Sequence, residues 1–134
     1  MANAQAGAYV RAADTIDTIE ADMASDTSVG TAAANFTLVS AVVRTALGGK
    51  LIDFTLYITS DNALTATNGN FADVAMFTLD AAYRPAEVKN AVAGSGASTG
   101  EATLSTTGVV TLRSASDSIA AGANIRVNFT YLIP

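Results

Sequence analysis

The end of the chain decides the fold, and it reads Asn124-Ile125-Arg126-Val127-Asn128-Phe129-Thr130-Tyr131-Leu132-Ile133-Pro134. Apolar and polar residues alternate along this stretch, a pattern typical of a β-strand that lays one face on a core. The residues that share the apolar face are Ile125, Val127, Phe129, Tyr131 and Ile133. We therefore predict a terminal strand that contributes these five side chains to the core.

Turn signals separate this strand from several others before it. Residues 71–79 are apolar and run into Asp80-Ala81-Ala82-Tyr83-Arg84-Pro85. The proline fixes φ and disfavours helix at the residue before it, so the strand ends here. Shorter strands follow at 87–93, 100–104 and 108–112, and residues 114–122 form the last loop.

The strand pattern begins upstream, at residue 36. On a regular strand Phe36, Leu38, Ser40 and Val42 lie on one face, and Thr37, Val39, Ala41 and Val43 lie on the other. Gly48-Gly49 predicts a hairpin turn, because two adjacent glycines allow positive φ. The returning strand points Ile52, Phe54, Leu56 and Ile58 inward. Seven or eight such strands predict an all-β fold, an antiparallel β-sandwich of the jelly-roll type.

Residues 1–30 differ from this pattern and form a leader to a body that spans residues 31–134. Ile16, Ile19 and Met23 have the spacing of a narrow apolar helical stripe, and Asp14 stands at its N-cap position. A helix this short is not stable alone. We expect a helical or extended leader that packs on its own body, on a neighbouring subunit or on another protein.

The composition excludes several classes of function. The chain of 134 residues has neither cysteine nor histidine, so thiol chemistry, disulfides and the commonest general base are absent. The net charge is −5, and residues 1–26 carry five acids and one base, which disfavours nucleic-acid binding. No apolar run is long enough to cross a membrane as a helix. The start has no basic or apolar signal region, so we expect folding in a bacterial cytoplasm.

Two groups of polar residues are candidates for chemical sites. Carboxylate and amide oxygens in one loop resemble a loose calcium loop, but their spacing fits no EF-hand; they belong to Asp61, Asn62, Asn68, Asn70 and Asp73. Asp53 and Asp73 are conceivable as a glycosidase pair, with no spacing to support it. We expect no metal, no cofactor and no enzymatic activity.

The apolar content of the strands suggests a subunit contact. Where both faces of a strand are apolar, only one of them can face a single core. The residues on the other faces are Val39, Ala41, Val43, Leu51, Tyr57, Ala75, Phe77 and Leu79. A homotrimer would bury them, although scattered exposure on a monomer is the alternative. Our interface candidates are Val39, Tyr57, Phe77 and Arg84.

The order of these elements resembles the knob domains of small bacteriophage virion proteins. There a Tyr-Arg-Pro corner, here Tyr83-Arg84-Pro85, precedes a Gly-x-Val-x-Leu strand, here 108–112, and an aromatic terminal strand. The resemblance covers most of 31–134 and implies a virion structural protein in which the corner has a structural role.

Three functions are compatible with that resemblance. The first is a capsid decoration protein, assembled in the host cytoplasm, that binds the major capsid protein through its leader. The anchoring candidates are Tyr9, Arg11, Ile16, Ile19 and Met23. The second is a tail, baseplate or fibre-tip protein that contacts a host-surface receptor. The third is a cellular adhesin or carbohydrate-binding module. The short chain without a heptad or collagen-like stalk, and the scarcity of aromatic residues in its loops, favour decoration.

Overall fold

The computed structural model describes residues 23–134, and in this range the protein is built from strands. In chain order the strands are β1 (Ala24–Asp26), β2 (Gly30–Ala32), β3 (Phe36–Ala46), β4 (Leu51–Ser60), β5 (Asn70–Leu79), β6 (Lys89–Gly94), β7 (Thr99–Leu104), β8 (Val109–Ser114) and β9 (Asn124–Leu132). One 3₁₀ turn, Ala81–Tyr83, follows β5. The prediction of an all-β antiparallel fold is confirmed.

All nine strands belong to one sheet, in the order β1-β3-β4-β9-β6-β7-β8-β5-β2. The two outermost strands, β1 and β2, are consecutive in the chain and are separated by Thr27, Ser28 and Val29 alone. A linker of this length spans about 14 Å at most. The two edges of the sheet are therefore held near each other, and the sheet curls.

The curled sheet encloses one core between its two halves, β1-β3-β4-β9 and β6-β7-β8-β5-β2. Only Ala93 and Gly94 of β6 pair with β9, so the halves are joined along a short corner. Across the core, the rings of Phe54 on β4 and Phe77 on β5 have centroids 5.8 Å apart. Both side chains are fully buried, which is worth about 1.5–3 kcal/mol for each large apolar side chain.

The alternation predicted for β4 and β9 is confirmed. Ile52, Phe54, Leu56 and Ile58 are buried, as are Ile125, Val127, Phe129 and Tyr131, and Ile133 packs against the same core. The glycines also turn the chain as expected, with positive φ at Gly48 and Gly49 in the β3–β4 hairpin.

The alternation predicted for β3 is wrong beyond Leu38. A β-bulge between Leu38 and Ser40 inserts Val39 as an extra residue and reverses which face each later side chain takes. Ala41 and Val43 therefore point into the core in place of Ser40 and Val42.

A second irregularity lies in β5, between Ala75 and Phe77. Met76 and Phe77 are consequently both buried, although they are adjacent in the chain. Phe77 and Leu79 are core residues, not the outward-facing residues that the sequence suggested. Together with Ala41 and Val43, they no longer require a partner subunit to cover them.

The described end of the leader is extended. Ala24–Asp26 pairs with β3 as β1, and β2 crosses the predicted boundary between residues 30 and 31. Met23 directly precedes β1, whereas Ile16 and Ile19 of the predicted helical stripe lie outside the described residues.

Candidate functional site

The leader enters the sheet through β1 and is held there by Asp26. The Tyr83 hydroxyl donates to Asp26 Oδ2 at 2.7 Å, and the Ser28 backbone N–H donates to Asp26 Oδ1 at 2.9 Å. These bonds, the Ser28 bond first, hold the pKa of the Asp26 carboxyl below its usual value. The same contact with Asp26 raises the pKa of the Tyr83 phenol.

The Tyr83-Arg84-Pro85 corner lies behind this contact and joins three parts of the sheet. The Tyr131 hydroxyl on β9 donates to the Tyr83 carbonyl, and Arg84 Nε donates to the carbonyl of Leu79 at 3.0 Å. Pro85 is buried. Burial also raises the pKa of the Tyr131 phenol. The corner thereby fixes the end of β1 against β5 and β9.

An apolar row, exposed at its two ends and half-buried between them, lies on the outer face where the leader enters the sheet. Ala46 pairs with Leu51, and Leu51 pairs with Leu132, so these residues form the last cross-strand row. Ala24 pairs with Thr45, which places Met23 beside Ala46 at the end of that row. Met23 is 67% exposed and Leu132 is 63% exposed. Leu47, 64% exposed, follows directly in the hairpin. We call Met23, Ala46, Leu51 and Leu132 the apolar row.

The rest of this outer face is polar and internally bonded. In the next row Arg44 lies 3.5 Å from Asp53, which also accepts from Asn128 Nδ2 at 2.7 Å and from Thr130 Oγ1 at 3.2 Å. This polar surface contrasts with the apolar row beside it. The apolar row is therefore bordered by polar, mutually bonded side chains.

Further along the same face, Arg126 lies over the ring of Tyr57. Its guanidinium carbon is 4.6 Å from the ring centroid, a cation–π contact between cross-strand neighbours. Arg126 also lines a cavity of about 220 Å³ between the turn at Gly94, Ser95 and Gly96 and the turn at Gly122 and Ala123.

The structure distributes the predicted site residues over several places. Met23 is in the apolar row, whereas Tyr9, Arg11, Ile16 and Ile19 lie outside the described residues. Of the interface candidates, Val39 is 50% exposed at the β3 bulge, and Tyr57 is half-buried beneath Arg126. Arg84 is half-buried and bonded to Leu79 within its own chain.

The prediction that Phe77 contacts a second subunit is wrong, because its side chain is fully buried in the core. Sequence reasoning also missed Asp26, Leu132 and Arg126. Their significance depends on cross-strand neighbours distant in the chain, and no local motif marks them.

The two carboxylates of the candidate calcium loop bond to other side chains of the protein. Asp61 accepts from the Thr37 hydroxyl at 2.8 Å, and Asp73 pairs with Arg113 at 2.8 Å. Within residues 23–134, no group of three or more His, Cys, Asp or Glu residues is arranged to hold a metal ion. The same range contains no helix with the length and apolar character needed to cross a bilayer.

No protein-family model matches the chain, and no curated protein matches it significantly.

Proposed function

We propose that this protein is a phage capsid decoration protein, which binds the outer face of the major capsid shell as an oligomer and stabilises it. In this proposal residues 1–30 are the anchoring leader, and residues 31–134 form a jelly-roll-type β-sandwich body. The resemblance of the Tyr83-Arg84-Pro85 corner and the strands after it to phage knobs supports the virion assignment.

The apolar row is the observation that carries the proposal. A continuous row of apolar residues that stays partly exposed is typical of surfaces that contact another protein. Here they lie where residues 1–22 join the sheet, so the leader and the row can engage one partner together. The acids of the leader add the charge needed to pair with a basic protein surface.

The contacts around Asp26 explain how such an anchor would transmit force to the body. β1 pairs with β3, Asp26 bonds to Tyr83, and Tyr83 is bonded to Tyr131 of β9. A leader bound to the shell would thus be fixed to both sides of the core. Binding only the assembled shell would stabilise it by mass action, with no chemical step.

Quantification of the chain in purified virions tests the location. A decoration protein is expected at hundreds of copies per particle, measured against the major capsid protein by quantitative mass spectrometry. A handful of copies would favour the tail or baseplate, and absence from particles would overturn the virion assignment.

Deletion of residues 1–22 tests the anchor. This variant keeps Met23 and β1, so we expect an unchanged melting temperature and loss of binding to particles that lack the native protein, measured by co-sedimentation. A truncated protein that still binds these particles would refute the anchoring role.

A matched pair of substitutions separates the apolar row from general surface effects. Leu132→Asp is expected to weaken particle binding by about tenfold or more, because it places a charge in the proposed contact. Val92→Asp is the control, since Val92 is equally apolar and 71% exposed but lies on β6, outside the row. Equal binding by both variants would remove the row from the interface.

A further inference from the structure

The cavity beside Arg126 has the features of a small binding site. Its volume is about 220 Å³, and its described lining residues are Gly94, Ser95, Gly96, Gly122, Ala123, Asn124 and Arg126. None of these is acidic. Gly94 is the cross-strand neighbour of Arg126 on β6 and lines the cavity without a side chain.

Arg126 is held in position at this cavity and has no carboxylate partner among the described residues. Tyr57, its neighbour on β4, supports the guanidinium from one side with the ring centroid 4.6 Å away. Arg44 and Arg113 each have a carboxylate partner, in Asp53 and Asp73. No carboxylate within residues 23–134 pairs with Arg126. Its planar set of N–H donors therefore remains available to a carboxylate or a similar anion.

The other polar side chains of the cavity also present donors. Asn124 Oδ1 accepts from the Thr59 hydroxyl at 2.8 Å, which leaves its amino group to donate. Ser95 Oγ accepts from the backbone N–H of Ser98 at 3.2 Å, which leaves the hydroxyl proton to donate. A ligand that matches this lining carries one negative charge and several uncharged oxygen acceptors.

We propose that this cavity binds an acidic sugar residue, with the carboxylate on Arg126 and the hydroxyl oxygens on Asn124 and Ser95. The cavity is smaller than the roughly 300–1,000 Å³ of sites for drug-sized ligands, which fits a single sugar ring. Because the site offers a single charged contact and a small volume, we expect a dissociation constant on the order of 1 mM. This inference does not depend on the proposed virion role.

Titration of the ¹⁵N-labelled full-length protein with sodium glucuronate tests the site by NMR. We expect saturable shifts of the backbone amides of Gly94, Ser95, Gly96, Gly122 and Asn124. Glucose, which lacks the carboxylate, and inorganic phosphate, which lacks the ring, are the comparison probes. The proposal expects binding at least about tenfold weaker for each, since each loses one half of the contacts.

Two charge-matched variants complete the test. Arg126→Gln is expected to abolish saturable glucuronate binding, whereas Arg113→Gln, with the same change in net charge, is expected to retain it. The absence of saturable shifts in the wild-type protein, or their persistence in Arg126→Gln, would overturn the proposal. Phosphate binding as tight as glucuronate binding would overturn the assignment of a sugar.

Discussion

At the scale of single residues, the Tyr131 hydroxyl makes a polar contact that connects distant parts of the chain. It belongs to a buried residue and donates to the carbonyl of Tyr83, which in turn holds Asp26. One hydroxyl therefore connects the terminal strand to the corner and to the start of the sheet. The alternation in the sequence predicts that Tyr131 is buried, but it does not predict the partner of its hydroxyl.

Tyr131→Phe is expected to lower the free energy of unfolding by about 1 kcal/mol near neutral pH, because the hydrogen bond is lost and the volume is kept. Burial raises the pKa of the folded-state phenol above its ordinary value of 10.0. The buried neutral phenol thus contributes to stability below the ordinary phenol pKa. This contribution is lost as the pH rises from the ordinary pKa towards the raised pKa of the folded state. Urea unfolding at several pH values measures both effects.

The difference in free energy of unfolding between wild type and Tyr131→Phe should then become smaller above the ordinary phenol pKa. Every other residue is the same in the two proteins, so the comparison isolates the contribution of the Tyr131 hydroxyl. A difference that stays constant from about pH 8 to about pH 11 would contradict this account of Tyr131.

At the scale of elements, close approach of β7 to β8 explains a glycine requirement. A Cβ at Gly100 would lie 1.8 Å from the carbonyl oxygen of Ser114, whereas a Cβ at Gly94 would meet only the Ser98 carbonyl oxygen, at 3.7 Å. Both glycines are in strands and neither has a positive φ. The two positions therefore differ in packing and not in backbone strain.

Gly100→Ala is expected to destabilise the protein by about 1–3 kcal/mol, because one backbone must move away from the other. Gly94→Ala should be neutral or stabilise by about 0.5 kcal/mol, since it restricts the unfolded chain without a clash. Thermal unfolding followed by circular dichroism distinguishes the two. Equal effects of both substitutions would show that the close approach of β7 and β8 at Gly100 does not exclude a larger side chain.

The regularity of a strand decides whether the sequence predicts which of its faces is buried. β4 and β9 are regular, so the alternation at Phe54 and Phe129 gives their core faces directly. In β3 and β5 the bulges at Val39 and Met76 reverse the alternation, and neither residue signals a bulge in the sequence. The apolar row and the Arg126 cavity follow from cross-strand register, which the sequence does not specify locally.

At the scale of the whole molecule, the curled sheet leaves part of one edge unpaired. β1 covers β3 only from Val43 to Thr45, so in the described part of the chain no strand pairs with the outer edge of β3 from Phe36 to Val42. A groove of about 350 Å³ runs beside the start of this edge, with Phe36, Leu64 and Val74 among its lining residues. Unpaired strand edges bind other chains unless something protects them.

This edge is where we expect copies of the protein to meet in the proposed oligomer. Val39 is half exposed here, and Leu38 beside it is also exposed. Val39→Asp is expected to shift the protein from oligomer to monomer in sedimentation velocity, because a charge on the edge opposes pairing. The fold should survive, since the Val39 side chain is outside the core.

Val92→Asp carries the same charge on β6 and should remain oligomeric. If the wild type sediments as a monomer, the oligomer proposal is wrong; if both variants stay assembled, the contact lies on another surface.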